Sequence, residues 1–367
     1  DGDDFLFDIT FQFDPDGSGP LGLIPNGLAL MDPTKADDMT AWLVDTSRET
    51  WQDSLDSGND LINAGDGNDI VFGDHGIIKQ TDFGASGNLT PSLDRKVLGT
   101  GTGLADSTNT ITLVQSKSNQ NGGVDTVFAG TGQDIVIGGA NGDNLDGQDD
   151  KDLVFGDNVT LDRSATMGDL TNPRFRVLAG TTIYSAVAGI GSGTSQVTGT
   201  WRVDPSGAPV WTDYRVELED HDSAHAATLS AGNDYIAGGA NNDQIFGEMG
   251  NDTIQGDGSI GTFNVGGNKY DGASATLTTY GAFRTPGGAS DPVGPLTVNA
   301  SVEASTDGDD YIEGNGGSDV VFGNLGQDDI VGGTSTMFGE ATAGERPDGA
   351  DLLFGGAGTD IAYNHVG

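Results

Sequence analysis

The sequence predicts an all-β fold: a parallel β-roll, or β-solenoid, built from nonapeptide repeats and interrupted by β-rich loop insertions. Three observations predict it. An aspartate returns every nine residues in several separate patches, a large aliphatic residue follows nearly every one by two positions, and glycine precedes most of them by two positions. Self-similarity at a short fixed period is typical of a solenoid, in which each repeat stacks on the next.

Fifteen aspartates keep this spacing, and they are called the register aspartates below. They are Asp4, Asp60, Asp69, Asp125, Asp134, Asp143, Asp152, Asp234, Asp243, Asp252, Asp310, Asp319, Asp328, Asp351 and Asp360. The residue two positions later is Leu, Ile or Val in fourteen cases and Ala362 in the fifteenth. One inward side chain in a strand of three residues is the period-2 pattern of a short buried strand, so these residues predict the core.

The residue two positions before each register aspartate predicts a turn. It is glycine in twelve cases, and the exceptions are Asn141, Asn241 and Asp150. These residue types tolerate a positive φ, so we expect a left-handed turn conformation there. Turn, aspartate and short strand together predict a coil of two nonapeptides, with equivalent strands about 4.8 Å apart in successive coils.

The charge of the chain indicates its ligand. Asp and Glu number 56 against 15 Lys and Arg, which gives a net charge of −41. Such a chain repels itself unless counter-ions hold it together, and it has the wrong sign to bind nucleic acid. There is no cysteine, and the register supplies only oxygen ligands. Stacked carboxylates and glycine-rich backbone suit a hard cation, so we predict several Ca²⁺ ions at the register aspartates.

Two repeats, GGANNDQIF from Gly238 and GGAGTDIAY from Gly355, illustrate a family resemblance. The pattern closely resembles the RTX, or haemolysin-type, calcium-binding nonapeptide family, written G-G-x-G-x-D-x-U-x with U a large aliphatic residue. The resemblance implies calcium between the turns of a β-roll, folding triggered by the ion, and an extracellular location, secreted or at the cell surface of a bacterium.

The sequence shows no recognisable pattern of a signal peptide or a membrane-spanning segment. The opening DGDDFLFD lacks the basic start and apolar core of a signal peptide. No apolar run approaches the roughly 20 residues that cross a bilayer. We therefore expect no membrane span, and a chain that is soluble or has its export signal elsewhere.

We expect one interrupted β-roll over residues 1–367. The repeat patches are predicted at 1–8, 55–74, 120–157, 229–257, 305–333 and 346–363, and the insertions at 9–54, 75–119, 158–228, 258–304 and 334–345. Stretches such as NTITLV and TWRVDPSGAPVWTDYRVEL alternate polar with β-branched or aromatic residues and contain Gly and Pro. They predict strands and hairpins packed along the flank of the roll.

Three other motifs carry weaker signals. His221 and His225 in HDSAH could bind a transition metal on a helix, but their neighbours indicate strand and loop, so we expect an exposed polar bend. DPDGSG from Asp14 begins like an EF-hand loop, but Pro25 replaces the bidentate glutamate, so we interpret it as a turn. The four tryptophans could stack on sugars, and we expect them instead to pack against the roll.

No catalytic motif such as H-E-x-x-H or G-x-S-x-G is present, so we expect no enzymatic activity. The predicted function is an extracellular calcium-binding structural protein whose β-roll folds on calcium. Both ends of the sequence, DGDDFL and GGAGTDIAYNHVG, are uncapped repeats. They predict head-to-tail self-assembly into filaments or a matrix, with copies of the chain as partners.

Two alternative functions stay open at this stage. The chain could be a calcium-stabilised segment of a large secreted RTX adhesin, with cell-surface glycans as candidate ligands. It could also be the calcium and secretion module of an RTX enzyme.

Overall fold

The computed structural model describes residues 57–80, 111–162, 209–211, 214–265, 273–284, 294–335, 338, 340, 342–358 and 360–363. These residues lie in one compact unit, Ser57–Gly367. They form β-strands and one turn of 3₁₀ helix, Ala343–Glu345. Within this part of the chain, no helix has the length and apolar character that crossing a membrane requires.

Two seven-stranded parallel sheets form the body of the fold, which is called the roll. The front sheet contains, in order, β1 (Leu61–Asp66), β5 (Thr126–Thr131), β7 (Asn144–Asp149), β11 (Tyr235–Ala240), β14 (Thr253–Asp257), β21 (Val320–Phe322) and β24 (Leu352–Phe354). The back sheet contains β2 (Ile70–Phe72), β6 (Ile135–Ile137), β8 (Leu153–Phe155), β12 (Gln244–Phe246), β19 (Tyr311–Glu313), β23 (Asp329–Val331) and β26 (Ile361–Tyr363). Each coil gives one strand to each sheet, and the predicted all-β parallel roll is confirmed.

The remaining strands lie in the insertions and in the turns. An antiparallel insertion sheet contains β3 (Gly76–Gln80), β4 (Ile111–Ser116), β9 (Val159–Asp162) and β10 (Arg215–Leu218). Two antiparallel pairs are β15 (Gly261–Asn264) with β16 (Ser274–Leu277), and β17 (Gly281–Arg284) with β18 (Leu296–Asn299). Two short parallel ladders within turns are β13 (Met249–Gly250) with β20 (Gly316–Gly317), and β22 (Leu325–Gly326) with β25 (Ala357–Gly358).

The core between the two sheets is built from the aliphatic residues that follow the register aspartates. They pair in register, as Val127 does with Leu145 in the front sheet and Val136 with Val154 in the back sheet. The buried members are Val71, Val127, Val136, Leu145, Val154, Ile236, Ile245, Ile254, Ile312, Val321 and Ile330. Each contributes about 1.5–3 kcal/mol on burial. Ala362, the one small residue of the series, is exposed.

A second core covers the outer face of the back sheet. Phe155 and Phe246 stack there with ring centroids 5.1 Å apart. The insertion sheet packs over them through Leu161 and other apolar side chains. Trp211 is buried in the same cluster, and its indole Nε1 donates to the carbonyl of Lys151 at 3.0 Å. Trp211 therefore packs against the roll as expected, whereas Trp42, Trp51 and Trp201 lie outside the described residues.

Three insertions leave the roll through a Gly-Asp pair, and the aspartate of each pair holds the returning chain. These exit aspartates are Asp74, Asp157 and Asp257. Each accepts the backbone amide of the glycine two positions before the next register aspartate. The three hydrogen bonds are Gly123 to Asp74 at 3.0 Å, Gly232 to Asp157 at 3.0 Å, and Gly308 to Asp257 at 2.8 Å.

Two exit aspartates also reach the next coil. Asp74 accepts the amide of Ala140 at 2.6 Å, and Asp157 accepts the amide of Met249 at 2.9 Å. The ends of each insertion are therefore fixed to the roll by hydrogen bonds. The entropic cost of closing a loop grows only slowly with its length. Insertions of different lengths can therefore be accommodated once their two ends are bonded to the roll.

Replacing Asp157 with Ala should destabilise the calcium-loaded roll. The change leaves the buried amides of Gly232 and Met249 without their acceptors, at about 1–3 kcal/mol each. Asp66→Ala, at an exposed position on β1, is the matched control and should change stability little. Urea unfolding at saturating calcium measures both, and equal midpoints would show that the exit aspartate does not hold the insertion.

Candidate metal centre

The register aspartates form two columns along the roll, one in each set of turns. The first column is Asp60, Asp125, Asp143, Asp234, Asp252, Asp319 and Asp351. The second column is Asp69, Asp134, Asp152, Asp243, Asp310, Asp328 and Asp360. Asp4 lies outside the described residues. The structure thus brings together fourteen of the fifteen predicted site residues, in two lines.

One carboxylate oxygen is used by the backbone at twelve of these fourteen positions, all except Asp60 and Asp69 at the start of the columns. Oδ1 accepts the amide of the aspartate one coil earlier, at distances from 2.7 Å for Asp60 to Asp125 to 3.3 Å for Asp328 to Asp360. The insertions do not interrupt this ladder. The amide of Asp143 donates to Asp234 at 2.7 Å although 91 residues separate them. Each of these twelve aspartates is therefore held in a fixed orientation by the coil before it.

The other oxygen is buried, and the described residues give it no hydrogen bond. This holds for Oδ2 of Asp69, Asp125, Asp134, Asp143, Asp152, Asp234, Asp252, Asp319, Asp328 and Asp351. A buried carboxylate oxygen without a partner costs several kcal/mol. The same unsatisfied atom at ten repeats indicates a ligand that binds there and that the protein itself does not supply.

A glycine opens the turn beside most of these oxygens. A Cβ atom added at Gly138 would lie 2.5 Å from Oδ2 of Asp143 and 2.3 Å from the carbonyl oxygen of Gly156, one coil further on. Glycine is needed here because its hydrogen leaves both oxygens accessible. Each such glycine faces a cradle formed by one carboxylate oxygen and one carbonyl oxygen.

The cradle is also complete where an insertion interrupts the turn. A Cβ atom at Gly156 would lie 2.2 Å from Oδ2 of Asp234 and 2.5 Å from the carbonyl of Gly247, although Asp234 belongs to the next patch. Gly73 stands beside Asp125, and Gly256 beside Asp310, in the same way. The chain resumes its repeat at the position where the aspartate of an uninterrupted repeat would lie.

The cradles fit calcium. Within the described part of the chain, no three Asp, Glu or His side chains converge as a metal cluster. An ion at these positions would therefore take carboxylate oxygens together with backbone carbonyls from successive coils. Ca²⁺ accepts six to eight oxygen ligands in flexible geometry, which such mixed donors satisfy. Oδ2 of Asp143 with the carbonyl of Gly156, and Oδ2 of Asp234 with that of Gly247, are representative ligand pairs.

The turn residues follow two different rules. Asn141, Asn241 and Asp150 have φ of 72°, 74° and 80°, so the predicted left-handed conformation is found at all three exceptions to glycine. Gly123 and Gly232 lie outside that region of φ. An added Cβ there would come within 1.5 Å and 1.9 Å of a carbonyl oxygen of the preceding coil. The left-handed interpretation is wrong at these two glycines and also at Gly250, Gly308, Gly326, Gly349 and Gly358, because none of the seven has a positive φ and all are required by the close approach of successive coils.

Burial raises the pKa of twelve register aspartates. It raises the pKa of Asp125 to about 7 and that of Asp319 to about 8. Burial, with the neighbouring charge of Asp234 as the next cause, raises the pKa of Asp143 to about 10. Without a cation these carboxyls would retain protons near neutral pH. A divalent cation has the opposite effect, because it stabilises the charged form.

The two histidines of the HDSAH segment have different partners. His225 pairs with Asp222 at 3.0 Å in a turn. His221 is buried, and its Nδ1 lies 2.9 Å from the carbonyl oxygen of Glu345. The expectation of an exposed bend is wrong for His221, because residues near the 3₁₀ turn fold over it. The DPDGSG segment lies outside the described residues.

Replacing Asp234 with Asn separates the ligand charge from the hydrogen bond. Asparagine keeps an oxygen to accept the amide of Asp143 but lacks the second anionic oxygen. The calcium concentration at half-folding should rise by roughly three- to tenfold. In chelator above about pH 7, by contrast, the variant should be more stable than the natural chain, because asparagine stays neutral where the buried Asp234 carboxyl, whose pKa is raised to about 7, would ionise. Circular dichroism measures both, with Asp66→Asn as control, and an unchanged calcium midpoint would contradict the assignment.

The raised pKa values predict the pH dependence of the calcium-free chain. A carboxyl whose pKa is higher in the folded state favours folding below its unfolded value near 4, and this contribution is lost as the pH rises through the folded value. In chelator, β structure should therefore decline as the pH rises from about 4 to 8. Calcium competes with these protons, so the calcium needed for half-folding should fall over the same range. A chelated chain with more β structure at pH 8 than at pH 5 would contradict this.

The comparisons with known proteins agree with this geometry. The family model described as RTX calcium-binding nonapeptide repeat (4 copies) matches residues 56–76, 120–158, 229–262, 305–335 and 348–364. No curated protein and no solved structure matches the chain. The matched residues contain all fourteen described register aspartates, and over these residues the chain is similar to RTX calcium-binding nonapeptide repeats.

Proposed function

We propose that this chain is an extracellular calcium-binding structural protein whose roll folds when calcium binds. One observation carries the proposal. In both columns most aspartates hold one oxygen on the backbone and leave the other buried beside a carbonyl of the next coil, as Asp143 and Asp234 do. A net charge of −41 supports it, because a chain so acidic needs cations to become compact.

The atoms of each repeat have different roles in binding the ion. Oδ1 of the described register aspartates after the first of each column accepts a backbone amide, which fixes the carboxylate plane. Oδ2 and the carbonyl of the next opening glycine face the ion. The aliphatic residue two positions later packs between the sheets. When bound, calcium supplies the positive charge that offsets repulsion within each column. Folding and binding are then one equilibrium, as in other small metal-dependent folds.

The compartment follows from the affinity expected of such sites. Calcium sites of extracellular modules bind at roughly 0.1–1 mM. Cytosolic calcium is far below this range, so the chain would remain unfolded before export and fold outside the cell. The proposal includes no enzymatic activity, since the sequence has no recognised set of nucleophile, base and orienting group.

A calcium titration of the full chain tests the proposal. Far-ultraviolet circular dichroism should show little β structure in chelator at pH 7.5 and a cooperative gain at roughly 0.1–1 mM calcium. Magnesium, which requires tighter octahedral geometry, should not replace calcium at these concentrations. A spectrum that stays the same in chelator and in calcium would reject the proposal.

Head-to-tail self-association is the finer form of this proposal. Within the described residues, β1 and β2 pair on one side only, as do β24 and β26 at the other end of the roll. Unpaired parallel edges can accept equivalent strands of another copy, and such a contact does not close on itself. Light scattering during the same titration should show growth of the particle with calcium. A monomer at high protein concentration and millimolar calcium would instead favour the calcium-stabilised adhesin segment.

A further inference from the structure

A cleft on the outer side of the front sheet lies apart from both aspartate columns, and it is called the flank cleft. Its volume is about 260 Å³, and its lining includes Asp146, Gln148, Asp149, Ser259 and Asp307. None of the residues that line it is basic. The cleft lies where the insertion at 258–304 leaves the roll and returns to it.

Asp146 is the residue that makes this cleft unusual. It is the outward-facing residue of β7, and its neighbours in the sheet are Phe128 and Ala237. The side chain is 0% exposed. Oδ2 accepts Ser259 Oγ at 2.5 Å and the amide of Ile260 at 3.2 Å. The amide of Gln148 is near the carboxyl group, but the described residues give Oδ1 no hydrogen bond of ordinary geometry.

A second unsatisfied oxygen lies close by. Gln255 follows Ala237 in the same row of the front sheet and is fully buried. Its Nε2 donates to the hydroxyl of Tyr235 at 3.1 Å, while the described residues give Oε1 no partner. That oxygen lies 3.1 Å from the position of a Cβ atom at Gly258, which lines the cleft.

The rim of the cleft joins the roll to the insertion. Asp149 is exposed at the end of β7. Asp307 belongs to the returning chain, where one of its oxygens accepts the amide of Ala304 at 2.8 Å. The backbone closes the same junction, because Gly258 donates to Gly239 at 3.0 Å and Asn241 donates to Thr306 at 2.9 Å. Negative charge from both sides of the junction therefore faces one space.

We propose that the flank cleft binds a divalent cation, calcium in the extracellular setting, outside the repeat register, and that this ion ties the insertion at 258–304 to the roll. Oδ1 of Asp146 is the buried ligand, and Asp149 and Asp307 contribute charge from opposite sides of the rim. The three carboxylates do not converge as a closed cluster. Water completes the shell of six to eight oxygens that calcium takes, as its flexible geometry permits.

The double variant Asp149→Asn with Asp307→Asn tests this site in the full chain. Both changes remove charge and keep an oxygen acceptor, and neither residue is a register aspartate. Asp66→Asn is the matched control, because Asp66 on β1 and Asp149 on β7 both pair with Thr131 of the strand between them, β5. The single variant Asp146→Asn probes the buried ligand. Circular dichroism at saturating calcium confirms that each variant is folded.

Equilibrium dialysis with radioactive calcium and hydrogen exchange provide two readouts. The double variant and Asp146→Asn should each bind about one ion fewer than the natural chain and the control. The amides of Gly281–Arg284 and Leu296–Asn299 should exchange faster in these variants, while those of the two roll sheets should not.

Equal numbers of bound ions and equal amide hydrogen exchange in the variants and the control would contradict a cation site in the flank cleft. In that case ordered water would be the partner of the buried Asp146 oxygen. The inference goes beyond the proposed function and fails separately from it. A natural chain that binds no calcium at all would refute both. A natural chain that binds calcium, with variants that bind the same number of ions, would refute the flank cleft alone.

Discussion

The structure depends on one constraint: every half-coil buries a carboxylate that the backbone satisfies only in part. Except at the start of each column, Oδ1 of the described register aspartates is tied to the preceding coil, as Asp234 is to the amide of Asp143. At ten of these aspartates Oδ2 is buried without a donor among the described residues, and at most of the ten it lies beside a carbonyl of the next coil. The hydrophobic core sets the spacing of the coils, so these oxygens cannot move away from each other. We propose that a cation between coils relieves this conflict and that folding depends on it.

The insertions are compatible with this constraint because they begin and end in the turns. An insertion begins after an opening glycine such as Gly156. Where the repeats resume, Asp234 lies at the position that the aspartate of an uninterrupted repeat would take beside that glycine. Exit aspartates such as Asp157 hold the two ends together. The columns therefore continue through the insertions. The insertion sheet covers the back of the roll and adds a second core, which a bare solenoid would lack.

The roll could be predicted from the sequence because its period is short and its rule is local. Aspartate, aliphatic and glycine positions define the two columns, the core and the coil without any distant information. The pairing of β4 with β9 could not be predicted, since strands from two insertions meet only in the folded chain. Asp146 and His221 show the same limit. Their burial depends on Ser259 and Glu345, which are 113 and 124 residues away in sequence. The exit aspartates had a signal, the Gly-Asp shared by FGDHGIIK, FGDNVTLD and QGDGSIGTF, but the pattern alone does not reveal which amides they hold.

A crystal structure of the calcium-loaded chain, with anomalous scattering used to locate the ions, tests the central claim most directly. The account predicts ions between successive coils in both sets of turns, bound by Oδ2 of residues such as Asp234 and by the carbonyl of the next opening glycine. Distances of about 2.3–2.6 Å to these oxygens would identify calcium. Ions found only on the surface of the roll, with the buried Oδ2 atoms bound to protein donors or water, would contradict it.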